Sequence, residues 1–64
     1  LMSKLTRREK EVAEKLASGK RQSFIANELV ISRRTVYNHV RSIREKIGAG
    51  SAFEAAVKLA ISEK

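Results

Sequence analysis

Residues 31–46 read ISRRTVYNHVRSIREK, and on a helical wheel they separate into two unlike faces. At about 100° per residue, Val36, Val40, Ile43 and the neighbouring Ile47 fall within one narrow arc, the spacing of a helix packed on a core. Arg34, Tyr37, Asn38 and Arg41 gather on the opposite side, so side chains able to hydrogen-bond base edges share one outward face. Arginine can pair through two N–H groups with guanine O6 and N7, and asparagine with adenine N6 and N7, when a helix lies in the major groove. Arg33 and Arg44 flank this face on one side and Thr35, Ser42 and Lys46 on the other, positions that suit phosphates along the groove walls. A basic helix face also serves solubility alone, so the surrounding sequence has to choose between the two.

The segment just before it favours nucleic acid. A helix predicted over 22–30 turns Ile25, Ala26, Leu29 and, at its margin, Val30 inward, although Arg21 stands where a capping Ser or Thr would serve. A break at Val30-Ile31-Ser32 follows, and Ser32 caps a longer amphipathic helix over 33–47 that ends at Gly48. Two helices joined in this way form a helix-turn-helix. Outward from this pair, Thr6-Arg7-Arg8-Glu9 is a capping box that opens a helix over about 7–18, with Val12, Ala13, Leu16 and Ala17 as its apolar stripe. Ser51-Ala52-Phe53-Glu54 has the same pattern and opens a fourth helix over 52–62. The fold expected is all-α, a four-helix bundle containing a helix-turn-helix. Residues 1–64 are expected to form a single domain.

Charge agrees with the wheel. Fourteen Lys and Arg against seven Asp and Glu leave a net charge of +7, which suits a partner rich in phosphate. The excess is concentrated: Arg33, Arg34, Arg41, Arg44 and Lys46 face only Glu45 within 32–46, whereas 51–64 carries two charges of each sign. The Lys20-Arg21 pair adds phosphate-binding candidates at the start of the second helix. Other functions fall away on composition. Without cysteine and with one histidine, no disulfide framework, thiolate metal site or histidine cluster can form, so neither metal nor cofactor is expected. No apolar run approaches the roughly 18 residues of a membrane span, and the start lacks the apolar core of a signal peptide, so a soluble cytoplasmic chain without membrane contact is expected. A leucine ahead of Met2 fits either a domain cut from a longer protein or a cloning scar.

With these residues in place, the chain resembles the C-terminal DNA-binding domain of LuxR/FixJ/GerE-type bacterial transcription regulators over about residues 5–61. The resemblance runs through Leu5-Thr6, Arg8-Glu9, Val12, Leu16, Gly19, Ile25-Ala26, Leu29, Ile31-Ser32, Thr35-Val36, His39-Val40, Ile43, Lys46, Gly48, Ser51 and Ala55. It implies a four-helix bundle whose third helix enters the major groove of double-stranded DNA, with dimerisation through the fourth. The implied base-reading positions are Arg34, Tyr37, Asn38 and Arg41, and Thr35 and Lys46 are the implied phosphate contacts. The chain departs from the family's common pattern at Tyr37, commonly lysine, at Ala52, commonly arginine, and at Phe24, commonly glutamate. The resemblance also allows the domain to be the C-terminal part of a longer regulator, with RNA polymerase as a further partner.

The fourth helix carries its own signal. Ala52, Ala55, Ala56 and Leu59 share one sector, but Phe53, Val57, Ala60 and Ile61 continue the apolar surface around the helix. An arc that wide is too broad for one core, which makes Phe53, Val57, Ala60 and Ile61 the candidate homodimer interface. Phe24 lies opposite its helix's apolar stripe and is expected as a core residue at a frayed helix start rather than a docking site. His39 borders the Val36/Val40 arc without a nucleophile at catalytic spacing, and is expected as a packed, hydrogen-bonded structural residue rather than a general base. No constellation supports an enzyme. The functional expectation is sequence-specific DNA binding for transcription regulation. The alternatives are a sigma-factor region 4-like promoter-binding domain, or a protein-interaction module that kept the fold without binding DNA.

Overall fold

Thr6 and Glu9 start the first helix by exchanging hydrogen bonds: the Glu9 amide donates to Thr6 Oγ1 (3.2 Å) and the Thr6 amide to Glu9 Oε1 (2.9 Å). The computed structural model describes residues 2–62. Among them a short 3-10 turn over Met2–Lys4 precedes four helices: α1 (Arg7–Ala17), α2 (Gln22–Leu29), α3 (Arg33–Ile47) and α4 (Ala52–Ser62). No strand occurs among the described residues, and the helix boundaries lie within one residue of those expected. The core is formed where α1 packs on α3 and α4, and α3 on α2 and α4. Val12, Leu16, Ile25, Val36, Val40, Ile43 and Leu59 are buried there, with Leu5 closing one end.

α1, α2 and α3 stop in the same way, with a residue in the left-handed region just past the helix. Gly19 (φ 87°) and Gly48 (φ 72°) provide it for α1 and α3. The Lys20 amide then bonds back to Lys15 O and the Ala49 amide to Arg44 O, which satisfies carbonyls that the helix leaves unpaired. After α2 the same position is held by Val30 at φ 56°, and the Ile31 amide closes onto Ala26 O. This conformation corrects the expectation for Val30. Instead of extending α2 and turning inward, it ends the helix and is 88% exposed, while Ile31 takes the inward position beside the core.

The expected second capping box is formed with a shifted partner. The Glu54 amide donates to Ser51 Oγ (3.0 Å), but the Glu54 carboxylate accepts from the Gly50 amide rather than that of Ser51. Phe24 is also corrected: it is 44% exposed, with the Lys20 ammonium 5.0 Å from its ring centroid. Its place on the wheel opposite Ile25 and Ala26 prevails over its hydrophobicity, and the cation over the ring face is a favourable contact at the surface. His39 is half-buried, but among the described residues it is not hydrogen-bonded as expected. The side-chain hydrogen bonds of the described residues do not include its ring.

Candidate nucleic-acid interface

The turn between α2 and α3 spans three residues, Val30, Ile31 and Ser32. Ser32 fixes the start of α3: its Oγ accepts from the Thr35 amide (3.0 Å) and lies 2.9 Å from Thr35 Oγ1. With Val36, Val40, Ile43 and Ile47 all buried, the rotation of α3 about its own axis is set, and Arg34, Tyr37, Asn38 and Arg41 are all exposed on the far side. The structure therefore brings the four base-reading candidates onto one open face. Arg33 is exposed beside them, and Thr35 is half-buried with its hydroxyl on Ser32. Lys20 and Arg21 are exposed at the α1–α2 turn.

Arg44 and Lys46, expected as phosphate contacts, are like Thr35 engaged within the domain. Lys46 donates to Glu9 Oε1 at 2.7 Å and Ser42 to Glu9 Oε2 at 2.6 Å. Glu9 is 6% exposed. Burial opposes its ionisation, but the hydrogen bonds from Lys46, Ser42 and the Thr6 amide, together with the Lys46 charge, outweigh burial and hold the carboxyl at about 2. Arg44 Nη2 donates to Gly50 O at 2.6 Å and so ties the end of α3 to the turn before α4, where Lys58 also reaches Gly48 O. Arg44 and Lys46 thus set the position of α3 against α4 and α1. The capping box indicates only the local part of Glu9's role; in the sequence its partners Ser42 and Lys46 stand out only as flanks of the polar face of α3.

On α3 a notch of about 170 Å³ is lined by Tyr37, Arg41, Arg44, Glu45 and Ala49. A larger cleft, about 460 Å³, lies between α1 and α2, but Glu11, Glu14 and Glu28 among its lining residues make it a poor place for phosphate. On α4, Phe53, Val57 and Ile61 are 80%, 41% and 64% exposed, and Ala60 is half-buried between the two sides. Ala52 and Ala56 turn toward the core around Ala55 and Leu59. No helix among the described residues is long and apolar enough to cross a membrane, and no group of acidic and histidine side chains there could hold a metal ion.

A three-residue turn, a buried stripe on the second helix of the pair and a polar, arginine-rich face opposite it define a helix-turn-helix DNA-binding domain. A family model described as bacterial regulatory proteins, luxR family, matches residues 3–60, and the chain belongs to that family. The family consists of DNA-binding transcription regulators and not of enzymes; this domain binds DNA in the regulation of transcription. The chain is similar to the spore germination protein GerE of Bacillus subtilis (strain 168), at 44% identity over 55 residues that cover 86% of this chain and 74% of GerE. It is equally similar, at 44% identity over 55 residues, to the transcriptional regulatory protein UhpA of Escherichia coli (strain K12), where the match covers 28% of the relative. The transcriptional regulatory protein DesR of Bacillus subtilis is 44% identical over 54 residues and is covered to 27%. The chain therefore spans most of one relative and little more than a quarter of the others. No solved structure matches it significantly.

Proposed function

We propose that the domain reads specific sequences in duplex DNA with α3 in the major groove, working as a homodimer joined through α4. The observation that carries this reading is the exposed face of Arg34, Tyr37, Asn38 and Arg41, held outward by the buried stripe on the same helix. Arg34 and Arg41 suit guanine and Asn38 suits adenine, while the Tyr37 ring can pack on a thymine methyl or offer its hydroxyl to a base edge. Arg33, Thr35, Lys20 and Arg21 contact phosphates. Arg44 and Lys46 approach phosphate only as secondary partners, since each already holds an acceptor inside the domain. The domain forms the DNA-binding end of a longer cytoplasmic regulator, a reading supported by the small share of UhpA and DesR that it covers, and RNA polymerase is a further partner.

Selection of bound sequences from a random duplex library, followed by salt titration on the selected site, tests the proposal. If each protomer neutralises about four to six phosphates, log K falls against log salt with a slope of roughly −4 to −5. Arg41→Ala is expected to cost about 1–3 kcal/mol on the selected site and to relax preference at one base pair, whereas Arg33→Ala weakens all sequences alike. Absence of salt-dependent DNA binding would point instead to a module that uses this fold to hold a protein, and salt-dependent binding without sequence preference would overturn the base-reading role of α3.

A further inference from the structure

Between Glu28 and Glu54 the chain has one acidic residue, Glu45, and it lies one helical turn beyond Arg41 on α3. Glu45 Oε2 is 3.8 Å from Arg41 Nε, and both side chains are largely exposed. Among the described residues, Arg33 and Arg34 have no carboxylate within ion-pair distance, and Lys46 is paired with Glu9. Arg41 is therefore the base-reading candidate that has a charge partner on its own helix.

In water an exposed pair of this kind contributes little and does not immobilise the arginine by itself. Beside a duplex the balance changes, because phosphates repel the Glu45 carboxylate wherever it is not offset by a cation. The contact is made by the Nε side of the guanidinium, which leaves the terminal Nη atoms available to a second acceptor. An arginine reaching guanine O6 and N7 through those atoms keeps its Nε toward Glu45. One that swings onto a phosphate oxygen leaves Glu45 unpaired next to the polyanion. Discrimination of this sort arises from penalising the wrong partner as well as favouring the right one.

We infer that Glu45 is a specificity-determining residue that positions Arg41: it holds the guanidinium for guanine and disfavours its escape to phosphate. The inference rests on the proposed reading in which Arg41 faces base edges. It explains an acidic side chain on a helix otherwise suited to approach phosphate, at a position where an uncharged residue would bind DNA more tightly.

The test compares the native domain, Glu45→Gln, Arg41→Ala and the double variant on the selected duplex, on its single-base-pair variants and on a random duplex. Glu45→Gln is expected to tighten random-duplex binding about two- to fivefold. Affinity for the selected site should change much less, and preference should relax at the base pair that Arg41→Ala also relaxes. In the Arg41→Ala background, Glu45→Gln should leave preference at that pair unchanged. Equal gains on all duplexes, or a preference change that persists without Arg41, overturns the inference while leaving the base-reading proposal intact. A native domain without any sequence preference overturns both. Thermal unfolding of Glu45→Gln should match that of the native domain, since neither side chain is buried; a large drop would assign Glu45 a structural role instead.

Discussion

The Lys46 ammonium near the end of α3 lies 2.7 Å from the Glu9 carboxylate in the first turn of α1, a partner 37 residues away in the chain. Glu9 also caps α1 through Thr6 and accepts from Ser42. One buried carboxylate therefore secures the start of α1 and ties the later turns of α3 to it, adding to the buried stripe that turns the opposite face of α3 outward. Removing the carboxylate's charge or its cation should loosen the helix that carries the base-reading candidates.

Glu9→Gln and Lys46→Met are each expected to lower stability by about 1–3 kcal/mol, because each leaves a buried or half-buried polar group short of its partner. Urea unfolding of the two single variants and the double variant measures this. The double variant should lose less than the sum of the singles, since neither charge is then left without its mate. Additive losses would show that Glu9 and Lys46 act independently.

The same carboxylate sets an acid limit. Its folded-state value is lowered from 4.5 to about 2, so folding favours the ionised form and the unfolded chain binds the proton more readily. This contribution is fully present above about pH 4.5 and is lost progressively as pH falls toward 2. Unfolding measured across that window should show a decline for the native domain that is shallower for Glu9→Gln. Parallel pH profiles would remove Glu9 as the source.

Val30 occupies the left-handed position that glycine fills after α1 and α3, and its side chain is 88% exposed. A β-branched residue is strained there, and very little burial would be lost on replacing it. Val30→Asn is expected to stabilise the domain by about 0.5–1 kcal/mol, a rise of several degrees in Tm for a domain of this size. A drop in Tm would show that the valine makes a contact worth more than the strain. Unchanged DNA affinity would confirm that the turn itself makes no apolar contact with the duplex.

Phe53, Val57 and Ile61 present an apolar surface on α4 that the domain's own core does not cover. In an isologous pair across this surface, two copies of α3 would stand about one DNA turn apart, roughly 34 Å, and favour inverted-repeat sites. Val57→Glu combined with Ile61→Glu is expected to abolish cooperative two-protomer binding to an inverted repeat, read by sedimentation, while half-site binding persists. Cooperativity that survives both changes in a folded domain would move the interface elsewhere.

Helix boundaries, the three-residue turn and the two faces of α3 were legible in the sequence because their causes are local. The capping exchange between Thr6 and Glu9 spans three residues, and the Val36-Val40-Ile43-Ile47 stripe repeats within a single helix. The wide apolar arc of α4 was legible for the same reason. Its outer residues Phe53, Val57 and Ile61 remain exposed once the four helices have packed. Likewise, the wheel showed Phe24 opposite the stripe, but only the packed helices show how much of its ring remains exposed. Val30 looked like the end of an apolar stripe; its left-handed backbone and Ile31's inward turn follow from where α3 must begin on the core. Arg44 and Lys46 looked like phosphate ligands on the wheel, yet the crossing of α3 with α1 and the path of the turn before α4 bring Glu9 and Gly50 O within hydrogen-bond reach first. Periodicity and capping act over about four residues and are written in the sequence, whereas a charged side chain's partner depends on which helices the buried surface draws together, and that only the tertiary structure decided.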